Sequence, residues 1–364
     1  MSISDVDLRG KRVFLRADFN VPILDGVIQD DYKIKVTLPT IQHLLNAGVS
    51  KLVIGSHLGR PKGRHLEELS LHPVVCYLNT YVSARFVLKS IGEAVTHDFA
   101  LAENLRFHRE EVDGYGDLFV RHFDLVVVDA FGCIHRKAMS IVGTGLPCVM
   151  GLLMKKEIEV AERLGSGIDL CILGGSKVGD KLRLISQLKK RSKHVWIVGA
   201  MCFTILKDGY MKSIGSSRYE ENAPVREIIG GKPLSLPVDF VVKENGTCRA
   251  VNEIQQGQVG VDIGEKTLEL LEKDIFASKT IFWNGPPGIF EEQESSKGTM
   301  ELVRMLMRFC DGGGVCIVGG GDTASAVRKF GDYCALTHVS TGGGSLMTLL
   351  EGGSLPGVDA IENK

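Results

Sequence analysis

Short runs of Val, Ile and Leu recur along this chain without polar alternation, each ending in Gly, Ser, Asn or Asp and leading into a longer amphipathic stretch. Strands buried on both faces of a sheet read this way, and their alternation with helical stretches is the rhythm of βαβ units. In the first half the strand candidates are 12–16, 51–54 and 124–128; in the second they are 169–173, 194–198, 280–283 and 314–318, with 236–242 as a further one. Between the halves, 151–165 places Leu152, Leu153, Ile158, Ala161 and Leu164 at mixed three- and four-residue spacings, the pattern of one amphipathic helix. A chain of 364 residues exceeds what a single core usually serves. The expected fold is α/β, with two doubly wound, Rossmann-like parallel-sheet domains, 1–150 and 151–351, joined by that helix.

Charge and cysteine usage narrow the functional classes. With 43 basic residues against 44 acidic ones, no whole-protein field draws the chain to nucleic acid or a membrane, so any anion site must be built locally. The nine cysteines are scattered without a C-x-x-C pair, against a disulfide framework or structural zinc. No leader-like N-terminus and no membrane-length apolar run is present, so a cytoplasmic protein is expected. A monomer is the expected state.

In open parallel sheets, ligands bind outside the carboxyl ends of the strands, and nearly every strand candidate here ends in an unusual polar cluster. Asp18 and Asn20 follow the first; His57 and Arg60 the second; Arg136 the third, with Arg106 shortly before it. Brought to one edge, these residues make a basic patch suited to a small phosphate or carboxylate ligand, because arginine offers a planar fork to either group. As separate loops, they are ordinary surface charges.

The second half carries glycine turns. Gly174–Lys181 combines backbone amides at a helix start with Lys177 and Lys181, beside Gly175 and Ser176, an arrangement that can share a polyphosphate. It lacks the G-x-x-x-x-G-K-[ST] pattern. Gly319–Ala324 formally satisfies the dinucleotide fingerprint and makes a nicotinamide dehydrogenase the rival, but no ribose-binding acid follows about 20 residues later. Asp322 is placed to hold Mg²⁺. In Trp283–Glu291 two prolines and two glycines fix a loop that presents Asn284 and Glu291.

Taken in order, DFNVP, SHLGRP, ENLRFH, DAFG-x-x-HR, GG-x-KV-x-DK, WNGP-x-G-x-FE, GGGDT and HVSTGGG resemble the phosphoglycerate kinase family along almost the whole chain. The resemblance implies reversible phosphoryl transfer between 1,3-bisphosphoglycerate and MgADP, giving 3-phosphoglycerate and MgATP. It implies that Arg16, Asp18, Asn20, His57, Arg60, Arg106 and Arg136 bind phosphoglycerate. The nucleotide would meet Gly175, Ser176, Lys177, Lys181, Gly199, Asn284, Pro286, Gly321, Thr323, Gly342 and Gly343, with Glu291 on the ribose and Asp322 on the metal. It further implies a hinge role for the linking helix and a C-terminal segment, 352–364, packed back on the first domain.

The departures are specific. Lys33 stands where the family usually carries an arginine that approaches the transferred group, so Lys33 and Lys177 are the candidate catalytic cations. Ala200 occupies a usual glycine position near the base, and the second histidine of H-R-A-H is missing after Arg136. These leave a catalytically silent binding protein as a third reading.

Overall fold

The computed structural model describes residues 1–362. It divides into two compact units, 1–159 with 354–362, and Val160–Gly353. The division falls inside the helix Leu152–Ser166, later than the boundary at 151. The cause is local: the amide of Leu152 donates to Thr40 Oγ1 and that of Met154 to Asp129 Oδ1, so the first turns of the helix are anchored on the first unit. Positions 363 and 364 of the tail lie outside the described residues.

The first unit is built on a six-stranded sheet in the order Val87–Lys89, Phe99–Ala102, Lys51–Gly55, Arg12–Ala17, Leu125–Asp129, Cys148–Met150. All its neighbours are parallel. The central strands are buried beyond the opening residues Arg12 and Lys51, which explains their unbroken apolar runs. Helix Tyr32–Asn46 covers one face through Ile34, Thr37, Ile41 and Leu44, spaced by three and four residues. The short helix Pro356–Glu362 also packs on this unit, with buried Leu355 and Ile361 and the amide of Gly357 on the Ile134 carbonyl.

The second unit holds a five-stranded sheet in the order Ser192–Ile197, Ile168–Leu173, Thr280–Asn284, Val315–Val318, His338–Val339, again all parallel. The 236–242 candidate is corrected here. Its strand is Phe240–Glu244, and it lies in a separate antiparallel sheet between Thr247–Val251 and Val259–Ile263. Val242 is buried while Val241 and Lys243 are partly open, the alternation of a sheet with one wet face. Among the described residues no helix is long and apolar enough to cross a membrane.

Candidate active site

In the first unit the strand ends converge as expected. A cavity of about 170 Å³ is lined by Asp18, Asn20, Lys33, His57, Arg60, Arg106 and Arg136, each from a loop that leaves a strand or opens a helix. A larger basic cavity of about 870 Å³ shares the three arginines and extends to Lys62, Arg64 and Lys137. Arg60 and Arg136 are exposed and available, while Arg106 is half-buried and gives one N–H to the Gly59 carbonyl at 2.7 Å. The loops are tied to one another: Asn20 Oδ1 accepts from the Gly59 amide at 2.9 Å, and Asn104 Nδ2 donates to the carbonyls of Leu58 and Leu69. Gly59 has φ +61°, and a Cβ there would stand 2.8 Å from the tip of Leu69, so this turn favours glycine.

Lys33 lies in the first turn of helix Tyr32–Asn46, and its ammonium meets Asp18 Oδ2 at 2.7 Å on the cavity wall. Burial alone would raise the Asp18 pKa, but Lys33, with Arg16 behind it, pulls the carboxyl far below the usual range. His57 behaves differently from the basic group of the sequence reading. Burial, reinforced by Arg16, Arg106 and Lys33, pushes it down to about 3, so at neutral pH it is a neutral imidazole that offers hydrogen bonds and no charge. Arg16 is fully enclosed. It donates to Ser140 Oγ at 2.8 Å and to the Ala17 carbonyl, stands 3.6 Å from Glu111, and so braces the floor of the site.

Sequence reasoning overlooked Cys133, whose Sγ is 3.6 Å from His57 Nδ1. Ligand atoms of Asp18, His57 and Cys133 lie within 4.8 Å of one another. Metal chemistry does not suit this trio: Lys33 already occupies Asp18, and burial pushes the Cys133 thiol up to about 12, away from the thiolate a metal needs. No spacing signal in the sequence joins these three, since they come from three different strand ends.

In the second unit all five parallel strands run into glycine turns. The turns interlock through main chain. The Gly174 amide donates to the Asn284 carbonyl, the Met201 amide to the Gly175 carbonyl, and the Gly285 amide to Thr323 Oγ1. Gly343 packs on Gly320, and the Gly342 amide donates to Ser340 Oγ. Buried Asn284 and Thr323 therefore hold the turns together: Asn284 Nδ2 donates to the Gly319 carbonyl at 2.7 Å, and its Oδ1 accepts from Lys181 Nζ. Burial brings the Lys181 ammonium down to about 8, with Asp322 opposing. Lys177 is exposed at the same turn.

A cavity of about 320 Å³ beside these turns is lined by Gly175, Ser176, Gly199, Pro286, Glu291 and Asp322, together with apolar groups. Gly321 is the first residue of helix Gly321–Phe330, so Asp322 sits where a helix N-terminus points its free amides. Asp322 is exposed, and among the described residues it accepts no hydrogen bond and closes no ion pair. Sequence reasoning also overlooked Glu220, which accepts from the amides of Val178 and Gly179 and so fixes the lysine-bearing turn.

A basic cavity at one parallel sheet and interlocked, lysine-bearing glycine turns at the other define a two-domain α/β phosphotransferase. A family model described as phosphoglycerate kinase matches residues 3–353. The chain is 37% identical over 408 residues to phosphoglycerate kinase of Schizosaccharomyces pombe, covering all of this chain and 99% of that one. It is 40% identical over 401 residues to that of Dictyoglomus turgidum, covering 100% and 98%. Among solved structures, phosphoglycerate kinase from Coxiella burnetii matches with a TM-score of 0.84 at 30% identity, covering 100% of this chain and 99% of that one. The enzyme from Pyrococcus horikoshii matches with a TM-score of 0.84 at 27% identity, covering 100% and 98%. The chain belongs to the phosphoglycerate kinase family.

Proposed function

We propose that the protein transfers a phosphoryl group reversibly between the acyl phosphate of 1,3-bisphosphoglycerate and MgADP, producing 3-phosphoglycerate and MgATP. The family match over residues 3–353, with every motif at a strand's carboxyl end, carries this reading. The dehydrogenase alternative has no support in the fold family, and the silent-binding alternative is disfavoured by relatives that are phosphoglycerate kinases along the whole chain. In this reading residues 1–150 bind the phosphoglycerate and the second unit binds the nucleotide.

The chemistry needs positioning and charge more than covalent help. A carboxylate oxygen of 3-phosphoglycerate is itself a competent nucleophile, so no side-chain base is assigned. Arg60, Arg106 and Arg136 hold the substrate's phosphate through bidentate forks, and neutral His57 and Asn20 orient its polar groups. Lys33 faces the oxygens of the group in transit. On the nucleotide side Lys177 and Lys181 meet the phosphates and Glu291 the ribose. Asp322 would hold Mg²⁺, which supplies charge neutralisation on the phosphates when bound.

A coupled assay with 3-phosphoglycerate, ATP and Mg²⁺ tests the reading directly. Arg60→Ala and Arg136→Ala are each expected to weaken 3-phosphoglycerate binding about tenfold or more, the loss of a charged hydrogen-bonding partner, while ADP binding stays nearly intact. Equal loss of both ligands in calorimetric titrations would defeat the assignment of substrates to units.

Asp322→Ala is expected to raise the Mg²⁺ concentration at half-maximal activity about tenfold or more and to lower turnover. Its melting temperature should stay close to the parent's, because an exposed, unpartnered side chain contributes within about 0.5 kcal/mol. An unchanged Mg²⁺ titration places the metal on other groups.

A further inference from the structure

The nucleotide cavity has walls of Ala200, Phe203, Val259, Val261, Pro287 and Ile289, a surface suited to the faces of a flat ring. The charged side chains on its lining are Arg218, Glu291 and Asp322. With Glu291 on the ribose and Asp322 on the metal, Arg218 is the charge left to address the base.

Its backbone is fixed on both sides. The hydroxyl of buried Ser217 accepts from the Gly260 amide at 2.8 Å, which ties it to strand Val259–Ile263. Glu220 accepts from the amide of Val178 at 2.6 Å, and its own amide donates to Thr204 Oγ1. Tyr219 is engaged with Asp208 and with Lys207, whose ammonium lies 3.8 Å from the ring centre. Arg218 itself forms no hydrogen bond or ion pair among the described residues. The chain thus holds its Cα in a set place and leaves the guanidinium uncommitted at the cavity.

A guanidinium only donates. A 6-oxopurine presents two acceptors, O6 and N7, on one edge and takes the fork at both; adenine places an N6 amino donor beside N7, so one branch of the fork meets a donor. We infer that this nucleotide site is built to accept 6-oxopurine nucleotides, guanine and hypoxanthine, at least as readily as adenine, with Arg218 as the specificity-determining residue. The inference rests on the nucleotide site proposed above.

Calorimetric titration of the Mg²⁺ complexes of GDP, IDP and ADP tests it. The parent should bind GDP and IDP as tightly as ADP or more tightly, the two alike because both carry O6 and N7. Arg218→Met should lower the GDP-to-ADP and IDP-to-ADP affinity ratios about five- to tenfold, the low end for a bidentate pair because the side chain is exposed. Arg218→Lys, which keeps the charge and loses the fork, should shift the ratios in the same direction. Unchanged ratios in Arg218→Met overturn the inference and leave the nucleotide site standing. Equal weakening of all three nucleotides also overturns it, since the cation then serves the phosphates. A parent that binds none of them removes the site itself.

Discussion

Lys33→Ala is expected to lower kcat on the order of a hundredfold with a smaller change in KM, and Lys33→Arg to match or exceed the parent. Removing one preorganised donor that faces developing charge costs on the order of 10²–10³ in rate. Arginine restores a fork where lysine supplies a point charge. A cation in the first turn of a helix works against the helix dipole, a penalty of about 0.3–1 kcal/mol at exposed sites. The fold accepts that position for Lys33 because Asp18 waits opposite at 2.7 Å. The same pair predicts a pH signature. A depressed carboxyl pKa contributes stability that is present above about 3.9, the unpaired value, and is lost as pH falls through the folded value. The parent should therefore keep this contribution through mild acid. In Lys33→Ala the buried Asp18 loses its strongest stabilising charge, its pKa moves up, and the acid limbs of both activity and melting temperature move to higher pH. An alanine variant within about twofold of the parent in kcat, roughly 0.4 kcal/mol of barrier, dismisses the catalytic role.

Gly285→Ala is expected to damage the second unit more than any single charge removal there. Gly285 has φ +102°, and a Cβ would stand 2.3 Å from the Gly174 carbonyl oxygen, which is main chain and cannot turn aside. Overpacking of about 1–3 kcal/mol adds to about 1–2 kcal/mol of backbone strain. In a unit of this size each kcal/mol moves the melting temperature by about 2–4 °C, so a fall near 10 °C should accompany weakened nucleotide binding. Gly321→Ala is the contrast. Nothing lies within 4 Å of its Cβ position and it opens a helix, so its melting temperature should equal or slightly exceed the parent's. If both glycines tolerate alanine equally in thermal melts, the turns are looser than their contacts indicate.

The sequence disclosed what depended on long apolar runs and on punctuation at their ends. Arg12–Ala17, Lys51–Gly55, Leu125–Asp129 and Thr280–Asn284 were legible because burial on both faces leaves an uninterrupted pattern. Val87–Lys89, Phe99–Ala102, Cys148–Met150 and His338–Val339 were missed, being two to four residues long and defined by sheet pairing more than by their own pattern. The loop residues that line the cavities could be singled out in the sequence, yet their states could not. Nothing local to His57 announces that it is neutral, or that Arg16 is enclosed by Ser140 and Glu111, because those environments are assembled from distant segments. Arg218 was passed over for the same reason: its meaning comes from a wall supplied by Val259, Val261 and Ile289.

The helix Pro356–Glu362 makes the first unit discontinuous along the chain, and this sets an order in which its layers can form. Segments 1–159 leave the exit tunnel first and can pair their six strands early, but the layer contributed by Leu355, Gly357 and Ile361 is synthesised only after the whole of Val160–Gly353. Until those residues have emerged, the backbone carbonyl of Ile134 and the apolar surface around helix Met139–Val142 and strand Cys148–Met150 lack this cover. The first unit therefore completes that layer only after the residues of the second have been made, at a closing cost that grows slowly with the length of the intervening chain.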